Sequence, residues 1–421
     1  MSSSEPSRLL SRRRILQIAG AGMLAGVAYS YHRGVRYPTI SLEPAAPPKQ
    51  LSYTGLSAKV SNLIALPTHL MEDLLASTPN LAFRAYAPEP ILQLNASADQ
   101  NITIGVNNIA ADAQLETDGD VSVNEVVNGI SRKLQLNLKR NQQVRLAWKL
   151  PFLYDYKFAS IGDSGGDKEL GWCIKRANQL GARFLLHLGD LNYQPGDYDN
   201  AVRQFHNSPI PCYVAIGNHD FHQSGLIYSQ FLNQLGPLSH SFSIGKTRFA
   251  NIDTAASTLP YSAGNRGQMF DQLIRENNLF NDTVAFTHRP LHDPSGESNH
   301  KGGHDFGREG ERDWLINALK RTNTKTLLSG HIHIFDRRDF QGIDNIIVGQ
   351  GLGHQDLLVN GDNSKIAIGQ VNQDGIVDYR FEPLAMPMEL HCHPRTEMVK
   401  KTVRNGRHSE LIRFIDQQCN S

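Results

Sequence analysis

Between residues 55 and 150 the chain alternates apolar and polar positions in short runs: NITIGVNNI, VSVNEVV, KLQLNLK and QVRLAWKL. Alternation of this kind places apolar side chains on one face of an extended segment, and the Asn and Asp clusters between runs supply turns. The pattern predicts a mainly-β unit of sandwich type, interrupted by a helical stretch, LPTHLMEDLLAS, around His69. Beyond residue 155 the texture changes. Continuous apolar runs of strand length alternate with amphipathic stretches such as KELGWCIKRANQLG (168–181) and REGERDWLINALKRT (308–322), which predicts an α/β unit with buried strands. The divisions expected are a leader at 1–30, a Pro-rich linker at 31–54, the β unit at 55–152, the α/β unit at 155–383 and a tail at 384–421. The end of the tail, with Leu411, Ile412 and Ile415 at helical spacing, predicts an amphipathic helix.

Five apolar runs of the second unit finish alike. FASIGD ends at Asp163, LLHLGD at Asp190, YVAIGNHD at Asn218, VAFTH at His288 and LLSGHIH at His331 and His333. Any one Gly-Asp at a strand end reads as a turn, and any one buried histidine as a hydrogen-bonded core residue. Five in succession read differently, because the carboxyl ends of strands line the functional crevice of α/β sheets. They would bring two carboxylates, one amide and three imidazoles to one place. Oxygen and imidazole donors without thiolate suit iron, manganese or zinc. Six such groups exceed the needs of one ion and predict a two-metal site with a shared carboxylate.

Charge and cysteine content narrow the possibilities. A formal net charge of +1 gives no basic footprint for nucleic acid. The one basic run with a telling context is Ser11-Arg12-Arg13, ahead of Ile15-Leu16 and a weakly apolar Ala/Gly stretch. That is a signal-peptide layout, too short for a stable transmembrane span, with a small-residue cleavage site near Ala28-Tyr29-Ser30. Cys173 and Cys212 sit in apolar surroundings and read as buried thiols, whereas Cys392 and Cys419 lie in the tail, where an oxidising compartment would allow pairing.

Taken together, GD, GDxxY, GNHD, H and GHxH resemble the calcineurin-like metallophosphoesterases, over roughly residues 157–353. The stretches GDSGG, GDLNY, GNHDFH and IIVGQG are most similar to the tartrate-resistant type of purple acid phosphatase. The resemblance implies an α/β sandwich of two β-sheets flanked by helices, preceded here by the small mainly-β accessory unit. Most members of the wider family carry Asp-x-His in the first motif, but this chain has Asp163-Ser164-Gly165. The missing imidazole leaves the first metal one ligand short, and Tyr193 is placed to supply a phenolate. The family pattern then assigns Asp163, Asp190, Tyr193 and His333 to one metal, and Asp190, Asn218, His288 and His331 to the other. Fe(III) is expected at the tyrosine site and Fe(II), Zn(II) or Mn(II) at the second.

A metal-bridged hydroxide attacking phosphorus is the implied chemistry, with His219 protonating the leaving group or holding a phosphate oxygen and Asp220 orienting His219. The polar loop after His288 contains His292, His300 and His304, and His292 and His300 are expected to touch substrate. His187 and Asp253 read as structural. The function expected is hydrolysis of small phosphomonoesters, with a phosphodiesterase or nucleotide hydrolase as the alternative, and a non-catalytic scaffold as the less favoured one. The leader resembles a twin-arginine signal, with Gln17 where the usual pattern has Lys. It implies the twin-arginine export machinery as partner and a periplasmic or extracellular location, with an uncleaved membrane anchor as the alternative.

Overall fold

A computed structural model describes residues 49–75, 77–222, 227–255, 263–294, 309–352, 364–387 and 390. The expected leader, His300, His304, Cys392, Cys419 and the tail helix lie outside the described residues.

The alternating runs form β1 (Gln50–Tyr53), β2 (Leu56–Ser61), β3 (Leu63–Ala65), β4 (Leu81–Ala85), β5 (Ile91–Ala96), β6 (Gln100–Asn107), β7 (Gln114–Asp118), β8 (Val123–Asn128), β9 (Ser131–Leu138) and β10 (Gln143–Lys149). They make two five-stranded sheets, β1-β2-β5-β10-β7 and β3-β4-β6-β9-β8. Leu92, Leu94, Leu146 and Trp148 of one sheet pack with Phe83, Ile104, Val106 and Leu134 of the other in a single core. The alternation is visible in β9, whose Leu134, Leu136 and Leu138 are buried while Gln135 and Asn137 face water. One expectation is corrected: residues 50–53, assigned to the linker, form an edge strand. Gln50, Leu51, Ser52 and Tyr53 pair antiparallel with β2 across a turn at Gly55, whose φ of 74° suits glycine. Pairing along the strand outweighs the Pro-rich composition just before it.

The α/β part comprises β11 (Tyr156–Ile161), β12 (Leu185–His187), β13 (Cys212–Val214), β14 (His240–Ile244), β15 (Thr247–Ile252), β16 (Asp282–Thr287), β17 (Thr324–Ser329), β18 (Phe335–Phe340), β19 (Ile343–Val348), β20 (Lys365–Val371) and β21 (Val377–Pro383). One sheet runs β13-β12-β11-β20-β21 and the other β14-β15-β16-β17-β19-β18. Within them β11, β12 and β13 are parallel, as are β15, β16, β17 and β19. An aromatic core of Phe158, Phe184, Tyr213, Phe242, Phe249 and Phe286 joins the two sheets. Phe158 stacks on Phe184 at 5.5 Å, and Phe249 meets both rings edge-on. The helix Lys168–Gln179 buries Leu170, Cys173, Ile174 and Ala177, the i, i+3, i+4, i+7 spacing of an amphipathic helix. The helix Glu309–Arg321 covers the second sheet with Leu315, Ile316 and Leu319.

Polar contacts fasten the β sandwich to β13, the buried edge strand of its sheet. The Asn108 carboxamide accepts from Cys212 N–H at 2.8 Å and donates to Cys212 O at 3.1 Å, as a neighbouring strand would. Arg84, fully buried, donates to the same carbonyl at 3.0 Å and to Asn107 Oδ1 at 3.1 Å. Burial lowers the Arg84 pKa to about 10, which still leaves it charged at neutral pH.

Candidate metal centre

The five sequence motifs stand at the ends of β11, β12 and β13 in one sheet and β16 and β17 in the other, so the site is assembled from both. Backbone bonds draw the ends together. Asp163 N–H donates to Gly189 O at 3.0 Å, Gly165 N–H to Asp190 O at 3.1 Å, and Gly330 N–H to His288 O at 3.0 Å. Asp163, Asp190 and His331 all take left-handed backbone, with φ of 59°, 62° and 67°. Such conformations are uncommon outside glycine and cluster where surrounding structure enforces them. Glycines make the room. A Cβ on Gly217 would overlap Asp190, and one on Gly330 would overlap Asp163 Oδ2.

Asp190 is the pivot. Its Oδ2 lies 3.2 Å from Tyr193 Oη, while its Oδ1 accepts His219 N–H at 2.9 Å and stands 3.4 Å from His288 Nε2. The two oxygens thus face two groups of donors. On the Oδ2 side, Tyr193 Oη is 3.3 Å from His333 Nε2, and His333 Nε2 is 3.7 Å from Asp163 Oδ1. On the Oδ1 side, His288 Nε2 is 2.8 Å from Asn218 Oδ1 and 3.2 Å from His331 Nδ1. Ligand atoms of Asp190, His288 and His331 lie within 4.8 Å of one another. The seven residues assigned to the two metals are therefore neighbours, and the His331 N–H, which donates to Asp163 Oδ2 at 2.8 Å, links the two sides.

This donor set fits cations. His288 Nδ1 lies 2.8 Å from Leu188 O, and a carbonyl can only accept, so Nδ1 carries the proton. Burial, with the Arg289 charge adding to it, pushes the His288 pKa down to about 4, so the ring is neutral and Nε2 holds a lone pair. That lone pair faces the oxygens of Asn218 and Asp190. A positive ion among them satisfies all three, with the hard donors that first-row metals and zinc accept.

Asp220 departs from its expected task. It is fully buried, and its oxygens accept the N–H groups of Asp190 at 3.0 Å, Leu191 at 2.8 Å and Gly217 at 2.9 Å. Its bonds therefore hold the Asp190 loop against the Asn218 loop instead of aiming the His219 ring. Burial and then the Asp190 charge push its pKa up to about 7, while the three N–H groups pull it down. His219 tilts over Tyr193 with ring centroids 4.4 Å apart, at the tyrosine side of the cluster. The Tyr193 turn is pinned by Asp197, whose Oδ2 accepts Tyr193 N–H at 3.1 Å and Gln194 N–H at 2.9 Å.

His292 is corrected. Its ring stacks on Phe340 at 4.8 Å, with Nδ1 3.5 Å from Asn345 Nδ2 and Nε2 3.8 Å from Asp336 Oδ2. The chain turns after Pro290, the Leu291 amide binds Asn345, and His292 is carried onto the β18–β19 hairpin.

Arg289 was not singled out from the sequence. Its Nη1 lies 2.7 Å from His331 Nε2, and its backbone N–H donates to Thr254 Oγ1 at 2.7 Å. A basic residue directly after a ligand histidine is the signal that would have found it. A cavity of about 520 Å³ lies elsewhere, on the outer face of the sandwich, where Lys59, Gln93, Arg145 and Asp118 form a cross-strand row. It is the polar outer face of an antiparallel sheet.

Among solved structures, the chain is similar to a purple acid phosphatase from yellow lupin (Lupinus luteus) seeds, at 12% identity over 70% of each chain with a TM-score of 0.42. A dimetal phosphatase from Danio rerio is similar at 11% identity, over 55% of this chain and 97% of that one, with a TM-score of 0.42. The anchor protein of the Plasmodium inner membrane complex is similar at 16% identity, over 55% and 85%, with a TM-score of 0.41. None of these likenesses bears on substrate or metal. No curated protein matches the chain in sequence. Residues 156–335 match the family described as calcineurin-like phosphoesterase.

Proposed function

We propose that the protein is an exported phosphatase that hydrolyses small phosphomonoesters at a two-metal centre. The observation that carries this reading is the arrangement around Asp190, whose oxygens face Tyr193 on one side and His288 on the other. Asp163, Tyr193 and His333 would hold Fe(III), with Tyr193 in place of the absent first-motif histidine. Asn218, His288 and His331 would hold Fe(II), Zn(II) or Mn(II), with Asp190 shared. When bound, the two cations would supply Lewis acidity to the phosphoryl oxygens and make a water molecule acidic enough to act as nucleophile near neutral pH.

The chain's own residues supply the rest. His219 is held by its backbone N–H on Asp190 Oδ1, and its ring stands beside Tyr193. From there a protonated imidazole can give its proton to the departing alkoxide oxygen as the P–O bond breaks. Arg289 adds fixed positive charge next to His331, favouring a dianionic phosphate.

The test is hydrolysis of p-nitrophenyl phosphate and of its bis-ester by protein expressed with iron, zinc and manganese, together with metal analysis. A much higher rate on the monoester is expected. Preference for the bis-ester would replace the monoesterase reading with a phosphodiesterase, and metal-free, inactive protein would leave a binding scaffold. For export, replacing Arg12 and Arg13 by Lys should retain folded protein in the cytoplasm. Unchanged export of that variant would remove the twin-arginine route.

A further inference from the structure

Beneath the loops that carry Asp163 and Asp190, two buried side chains meet. His187 Nε2 lies 2.8 Å from Ser164 Oγ, and neither residue is exposed to solvent. The proton positions follow from the partners. Gly189 N–H donates to His187 Nδ1 at 3.3 Å, so Nδ1 holds the lone pair and Nε2 the hydrogen. Nε2–H donates to Ser164 Oγ, whose own hydrogen goes to Gly165 O at 2.9 Å. The bonds thus run in one direction from the Asp190 loop to the Asp163 loop. Phe205 sits edge-on to the imidazole at 5.7 Å and limits its rotation.

We propose that His187 and Ser164 are positioning residues of the metal centre, which hold the Asp163 and Asp190 carboxylates in the separation that two ions require. The inference rests on the two-metal reading of the site. Its physical basis is that both aspartates occupy left-handed backbone, which is strained at a non-glycine residue and relaxes unless the surroundings prevent it. Two backbone bonds already join the loops, Asp163 N–H to Gly189 O and Gly165 N–H to Asp190 O. The side-chain bridge closes a third side of the same frame and resists rotation of the Ser164 peptide, which Asp163 would follow. A histidine that only filled the core would act on stability alone. A positioning histidine acts on metal affinity.

The experiment measures Zn(II) and Mn(II) binding by competition with a chromophoric chelator, using full-length wild type, Ser164→Ala, His187→Phe, His187→Gln and the Ser164→Ala/His187→Phe double variant, each first stripped of metal. Thermal unfolding of the stripped proteins is recorded alongside. Ser164→Ala and His187→Phe are expected to weaken metal binding by about 10–100-fold. The double variant should be no weaker than the worse single one, because both break the same bridge. His187→Gln, whose amide N–H can reach Ser164, should recover most of the affinity. Wild-type affinity in Ser164→Ala, whatever its melting temperature, overturns the proposal; so does a folded His187→Gln no better than His187→Phe. Should His187→Phe fail to fold, Ser164→Ala and His187→Gln decide between them. A wild type that binds two metals without hydrolysing phosphoesters overturns the phosphatase reading and leaves this inference standing. Failure of the wild type to bind metal overturns both.

Discussion

Asp190 and His219 stand one hydrogen bond apart, yet their tasks separate cleanly. Asp190→Asn keeps the shape of the side chain but removes the charge shared between the two donor groups. Metal content should fall well below two ions per chain, and turnover should fall by orders of magnitude. His219→Ala leaves the His219 backbone N–H on Asp190 Oδ1 intact. It should retain its metals in elemental analysis while kcat falls by about 10²–10⁴-fold, the range of a lost general acid. Metal loss in His219→Ala as complete as in Asp190→Asn would remove the role given to His219. Tyr193 makes a separate claim. A phenolate on Fe(III) transfers electron density on absorbing visible light, so iron-loaded protein should be purple to pink and Tyr193→Phe colourless. A Phe variant that keeps its visible band would make Tyr193 a packing residue.

At the scale of elements, the site depends on strand ends coming closer than side chains normally allow. Gly217 follows β13 and touches the Asp190 backbone that follows β12, where an added Cβ would collide with main-chain atoms. Gly217→Ala should destabilise the protein by about 1–3 kcal/mol in denaturant melts and reduce metal content. Gly342, at the β18–β19 turn, supplies the contrast. Its φ is 85°, and a Cβ there would meet nothing within 4 Å. Gly342→Ala should cost only backbone strain of about 1–2 kcal/mol and leave metal content unchanged. Equal metal content in the two variants would mean that strand-end contact does not shape the centre. The same scale explains His292. A histidine four residues beyond another lies beside it in a helix, but here the chain bends after Pro290 and the ring stacks on Phe340.

Across the whole molecule, burial creates a dependence on pH. His187 and His206 are pushed down to about 3 and His240 to about 4, each by burial first. The unfolded chain takes up protons at these residues below about pH 6.5, whereas the folded chain resists until pH 3–4. The unfolded state thus binds more protons in that window, and folding stability falls as the pH drops through it. The slope approaches about 1.4 kcal/mol per pH unit for each histidine. Denaturant melts of metal-free protein at pH 7 and pH 5 should show this loss, and His206→Gln should reduce the difference between them. Asp220, pushed up to about 7, binds its proton in the folded chain first and offsets part of this loss. A profile that is flat between these pH values despite three histidines would show that the rings protonate without unfolding. The coupling of the β sandwich to β13 through Arg84 and Asn108 predicts that both parts unfold together in these melts.

Two kinds of information were readable in the residues themselves. Period-two alternation identified strands such as β9 and β10, and helical spacing identified the helices Lys168–Gln179 and Glu309–Arg321, because each pattern follows from local backbone geometry. The ligand candidates other than Tyr193 were legible because they stand at the ends of apolar runs, and a strand end is also a local property. What lay between elements was not legible. That three endings come from one sheet and two from the other depends on how the aromatic core joins the sheets. Asp220 serves backbone N–H groups, Arg289 lies against His331, and His187 reaches Ser164, because residues 23 to 42 positions apart share a few ångströms. Local pattern determined which elements form and which groups stand at their ends; packing of two sheets against one another decided which of those groups meet.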